Sequence, residues 1–137
     1  MSLPPAFEER NAAQQIVGAV VVTMVFGLVT GFALGWNEIA YYILVGPIAI
    51  AGGFLGGMEH RAADEGLVRG AMGGLVYGSF ILLGLEILND EPEAYLSEPQ
   101  AGLVFVTTIV GALLGALGGA HRARARTPAS TWRTGSR

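Results

Sequence analysis

Apolar residues in this chain gather into four long blocks separated by short polar turns. The first runs from Ile16 to Trp36 with only Thr23 and Thr30 as polar side chains, and the second, Ile39 to Met58, carries no charge. The third, Leu67 to Leu88, holds Arg69 near one end and Glu86 near the other, and the fourth, Gly102 to Ala120, has Thr107 and Thr108. At 1.5 Å per residue each block makes a helix of roughly 28 to 33 Å, the thickness of a bilayer core. Buried helices of a soluble domain keep one polar face for water, and these four would keep almost none. The pattern predicts an all-α polytopic membrane protein with spans near 16–36, 39–58, 67–88 and 102–120. Residues 1–121 form the transmembrane domain, and 122–137 are expected to be a disordered basic tail.

Composition sharpens this. The 137 residues are 52% hydrophobic and 14% charged, with 21 Gly and no Cys. Soluble domains are about 25% charged and about 7% Gly. The apolar content excludes an intrinsically disordered chain, and the missing cysteines exclude a disulfide scaffold. Glu8, Glu9 and Arg10 precede a full-length span, unlike a cleaved signal peptide, so the N-terminus is expected to be retained.

Charge then sets direction. Lysine is absent, and all the arginines (Arg10, Arg61, Arg69, Arg122, Arg124, Arg126, Arg133 and Arg137) lie at the N-terminus, in or beside the middle loop, or at the C-terminus. The first loop and the acidic third loop, with Asp90, Glu91, Glu93 and Glu98, hold none. Basic residues favour the cytoplasmic side, which predicts both termini inside the cell membrane. Trp36, Tyr41 and Tyr42 fall where interfacial aromatic anchors are expected.

The chain also reads as one hairpin written twice. Gly18-Ala19 with Phe26-Gly27 matches Gly70-Ala71 with Tyr77-Gly78, and His60-Arg61-Ala62 matches His121-Arg122-Ala123. Such a parallel repeat implies a pseudo-two-fold axis along the membrane normal. Glycines recur at four-residue steps: Gly27, Gly31 and Gly35; Gly52 and Gly56, with Gly53 and Gly57 beside them; Gly66, Gly70, Gly74 and Gly78; Gly111, Gly115 and Gly119. This spacing lines one helix face with small residues and allows close backbone approach in lipid, within the chain or with other subunits. Pro47 removes a backbone hydrogen bond inside the second span, and a static bend is expected there.

Ionisable residues in spans are candidates for function. Continuing the third stripe by fours from Gly78 through Leu82 reaches Glu86, which places its carboxylate at a helix interface as a possible proton or ion site, with Thr107 or Thr108 nearby. The alternative is simple reach to headgroup water. Arg69 reads as snorkelling, paired with Glu65 four residues away, and Arg122, Arg124 and Arg126 as lipid-headgroup contacts. His60, Glu59, Asp64 and His121 show no metal-ligand spacing, and no cofactor is expected. Phosphate loop, dinucleotide fingerprint and hydrolase motifs are absent, so no enzyme is predicted, and Trp132 alone makes no nucleic-acid platform.

Gly52-Gly53-Phe54-Leu55-Gly56-Gly57, a polar turn, and Gly66-Leu67-Val68-Arg69-Gly70-Ala71-Met72-Gly73-Gly74-Leu75 resemble uncharacterised small four-helix membrane proteins of haloarchaea. The resemblance covers about half the chain and implies a fold, not an activity. Two functions follow as expectations. One is a structural or accessory subunit that packs on itself or on other membrane subunits through its glycine faces. The other is a small channel or transporter that uses Glu86.

Overall fold

A computed structural model of the chain describes residues 11–88, 91–96 and 98–126. The described residues contain four long helices and no strand: α1 (Ala12–Trp36), α2 (Glu38–Met58), α3 (Ala63–Leu88) and α4 (Gly102–Arg126). Each is long and apolar enough to cross a membrane. Their starts follow local capping chemistry. Asn11 accepts a hydrogen bond from Gln14 N at 2.8 Å, and Asn37 accepts one from Ala40 N at 3.0 Å to start α2. The α3 first turn carries Asp64 and Glu65, the sign that suits a helix N-terminus. The Glu65 carboxylate accepts from Arg61 N at 3.1 Å and lies 3.9 Å from His60 Nδ1. It is therefore engaged at the turn and does not pair with Arg69, as four-residue spacing had suggested.

Two boundaries differ from the expectation. α4 continues to Arg126, so residues 122–126 are helix and not tail; the remainder of the proposed tail lies outside the described residues. Within α1, Val17–Val21 form a π-helical turn that no sequence feature announces. Pro47 lies inside α2, which runs through it without interruption.

The most extensive contact joins α3 to α4; α1 packs along α3 and α2 along α4, while α1 and α2 meet far less. The α3–α4 seam is built from glycine. A Cβ at Gly66 would collide with the Gly115 carbonyl and one at Gly115 with the Gly66 carbonyl; Gly70 and Gly111 are related in the same reciprocal way. Ala62 faces Gly119 one turn before, and Gly74 faces Thr107 one turn after. Both helices thus advance by four residues per contact in antiparallel register. The hydrogen in place of each missing side chain points at a carbonyl oxygen, the arrangement of a weak Cα–H···O contact worth about 0.5–1 kcal/mol.

The other seams use fewer glycines. Gly27 meets Tyr77 and Phe80, and Gly31 and Gly84 oppose each other, so α1 and α3 run parallel; Gly57 and Gly118 play the same part between α2 and α4. The hairpins themselves are packed unequally: α3–α4 is closed along its length, whereas α1–α2 is splayed. Gly35 is half-buried in α1.

Away from the chain termini the bundle is filled. Leu34, Tyr41, Tyr77, Ile81 and Leu85 form its core there with Ala94 from the third loop, whose Glu93 N donates to Leu34 O at 2.9 Å. Tyr41 belongs to this core and not to the interface, whereas Trp36 and Tyr42 are exposed as anchors would be. Among these buried groups Thr30 Oγ1 lies 3.0 Å from Tyr77 Oη and donates to Phe26 O at 2.8 Å.

These contacts separate two kinds of glycine. In an exposed helix position Gly→Ala favours the helix by about 1 kcal/mol. At Gly52 no atom lies within 4 Å of a would-be Cβ, so Gly52→Ala is expected to raise the melting temperature in detergent. Gly70→Ala must separate two backbones, and overpacking of about 1–3 kcal/mol should outweigh the helix gain and lower it. Equal shifts for the two variants would contradict the seam.

Candidate functional site

Between the splayed α1 and α2, in the half of the bundle nearer the chain termini, lies a chamber of about 430 Å³. Val22 and Phe26 of α1, Pro47 and Leu55 of α2, and Tyr77 of α3 give it apolar walls. Gly52 and Gly56 leave its α2 side bare: Gly52 has no neighbour within 4 Å, and a Cβ at Gly56 would meet only the Arg69 guanidinium, at 3.9 Å. Within this chain Gly52 and Gly56 therefore pack against no helix backbone. The tight stripe on α2 is its neighbour, Gly53 against Leu114 and Gly57 against Gly115. Both stripes have four-residue spacing, so spacing alone does not say which one faces a helix.

One charged side chain projects into this chamber from α3. Arg69 donates from Nη2 to Gly18 O across 3.4 Å, the far limit of a hydrogen bond, and its Nε is buried with no acceptor. Gly18 belongs to the π-helical turn of α1. Glu59, which also lines the chamber, interacts with Arg69 electrostatically, yet no carboxylate among the described residues lies within salt-bridge distance of it. Arg69 therefore turns into the bundle instead of snorkelling away from it. A guanidinium has five N–H donors, and half-buried Arg69 gives one of them to a protein acceptor among the described residues. Sequence reading singled out Arg69 but missed the chamber, because nothing in linear spacing reveals that α1 and α2 stand apart.

Glu86 has the opposite fate. It is exposed at the far end of α3, beside Ser79, Leu82, Glu91 and Gln100. Stepping by four residues turns 400° around a helix of 3.6 residues per turn, so the stripe drifts by about 40° each time. After Gly78 the buried positions become Ile81, Gly84 and Leu85, and Glu86 has rotated off the interface. Thr107 sits opposite Gly78, about 12 Å along the axis from Glu86, and both Thr107 and Thr108 donate to carbonyls of their own helix. No site joining Glu86 to these threonines is formed.

The terminal arginines also divide. Arg124 and Arg126 are exposed, as headgroup contacts require. Arg122 is 1% exposed and donates from Nη1 to Met58 O at 2.7 Å, which ties the end of α2 to α4. It is a structural clasp and not a lipid contact. Its neighbour His121 stacks obliquely near Phe54, with ring centroids 6.0 Å apart. Among the described residues no cluster of three His, Asp or Glu side chains is placed to hold a metal ion. Comparison with protein-family models, curated proteins and solved structures finds no match.

Loss of a charged hydrogen bond to a buried acceptor costs about 1.5–3 kcal/mol. Arg122→Gln is therefore expected to lower the unfolding free energy in detergent by that amount, and the melting midpoint with it. Arg124→Gln should stay within about 0.5 kcal/mol, as exposed substitutions do. A thermal melt of the two variants side by side checks the division.

Proposed function

We propose that this chain is an integral membrane protein, with both termini in the cytoplasm, that serves as a non-catalytic structural or accessory subunit and not as a conduit. The observation that carries this reading is the state of its mid-bundle hydroxyls. Thr23, Thr30, Ser79, Thr107 and Thr108 each donate to a carbonyl of their own helix within four residues, and Thr30 also meets Tyr77. A conduction path needs polar groups that replace the hydration of a passing ion, and hydroxyls committed to their own helix are poorly suited to it. The filled core around Leu34, Ile81 and Leu85 stands between the chamber and the opposite end.

Membrane placement is supported by the large apolar side chains directed outward on all four helices, including Val25, Ile43, Met72 and Phe105. The placement of all arginines at the terminal and middle-loop segments supports the orientation. Most glycines of the four-residue stripes are engaged inside the chain, so a neighbouring subunit would meet α2, the helix least buried by the other three. The resemblance to small four-helix proteins of haloarchaea is in keeping with this arrangement and adds no activity.

Because the chain has no cysteine, single cysteines report topology cleanly. In intact cells a membrane-impermeant maleimide should label Glu38→Cys and leave Ala125→Cys unlabelled until the cells are opened; the reverse pattern would contradict the orientation. Proteoliposomes should show no ion flux above protein-free vesicles. A flux abolished by Glu86→Gln would replace the accessory reading with the transport one.

A further inference from the structure

We propose that the chamber between α1 and α2 binds a single-tailed amphiphile with a carboxylate head, the head on Arg69 and the tail along the apolar walls. This goes beyond the accessory role and rests on its membrane placement, from which the tail would enter. Three observations converge on it. The volume, about 430 Å³, falls within the range of about 300–1,000 Å³ typical of small-molecule sites. The walls are apolar over most of their extent, with Phe26, Pro47 and Leu55 among them, which suits a hydrocarbon tail and not a hydrated ion. At one end stands a guanidinium whose one hydrogen bond among the described residues is stretched to 3.4 Å and whose Nε lacks an acceptor among them.

An arginine in this state is complementary to a planar, singly charged acceptor that takes two N–H groups at once, which describes a carboxylate. Glu59 on the same lining adds selectivity. Its negative charge partly offsets Arg69, so a monoanion is accommodated and a dianionic phosphate monoester is penalised. The way in is lateral. Val22, Phe26 and Leu55 are partly exposed, Gly52 is bare, and α1 and α2 meet far less than the tightly packed helix pairs do. Chamber and arginine are thus an amphiphilic site open to the surrounding apolar phase.

The test uses the full chain in phosphatidylcholine nanodiscs, equilibrated separately with laurate, lauryl phosphate, lauryl alcohol and acetate, with bound adducts counted by native mass spectrometry. Laurate is expected to bind at least about tenfold more tightly than lauryl alcohol, a difference of about 1.4 kcal/mol. Acetate should not bind, and lauryl phosphate should bind more weakly than laurate. Arg69→Gln should remove the preference for laurate over the alcohol. Gly52→Leu fills the chamber where no atom lies within 4 Å, so it should keep the fold, checked by circular dichroism, and lose laurate. Equal binding of laurate and alcohol, retention of laurate by Gly52→Leu, or binding of acetate alone would each overturn the proposal, and a preference for lauryl phosphate would overturn the carboxylate assignment. A chain that stays monodisperse in plain buffer yet still selects laurate would refute the membrane placement and leave the binding site standing.

Discussion

The contact on which this bundle depends is one in which there is no room for a carbon atom. Along α3 and α4 the carbonyl of one helix occupies the space where a side chain would begin on the other, at Gly66, Gly70, Gly111 and Gly115 in turn. Between apolar helices in lipid, burial of hydrocarbon gives little preference for association, because the tails are equally apolar. Close backbone approach supplies dispersion and weak hydrogen bonds instead, and these fall off over fractions of an ångström. Such a seam tolerates little variation in spacing, which explains why glycine repeats over three turns without a break.

The seam also governs where the bundle is open. With α3 and α4 joined closely, α1 is drawn to α3 through Gly27 and Gly31, and α2 to α4 through Gly53 and Gly57. The Gly52 and Gly56 face that α2 turns toward the chamber meets no helix backbone. Bulky groups, Leu34, Tyr41 and Tyr77 with Ala94 from the loop, fill the space near one end. Toward the termini, Gly18, Gly52, Gly56 and Gly73 supply no volume, and the space remains as the chamber that Arg69 enters. Glycine therefore does two opposite things in one chain. Facing backbone it closes a gap, and facing nothing it preserves one.

Much of the architecture was legible in the sequence, because an apolar run of about 20 residues has few alternatives to a spanning-length helix. The α3 and α4 stripes were legible too, since unbroken four-residue spacing over several turns marks one face. The site was not. Gly52 and Gly56 share their spacing with Gly53 and Gly57, and only three-dimensional placement distinguishes lining from packing. Glu86 was misplaced because the helix period is 3.6 residues, and the drift accumulates over two steps beyond Gly78. Arg122 looked like a tail residue because α4 outlasts its apolar block, carried on by a hydrogen-bonded clasp to Met58 O.

The central claim is close backbone contact between α3 and α4 in a bilayer, and solid-state NMR measures it directly. With glycine Cα carbons isotopically labelled and the chain in phosphatidylcholine bilayers, cross-peaks at short mixing time are predicted between Gly70 and both Gly111 and Gly115. Sharp glycine signals showing only contacts within each helix would mean that the helices stand apart, and the account would fail at its base.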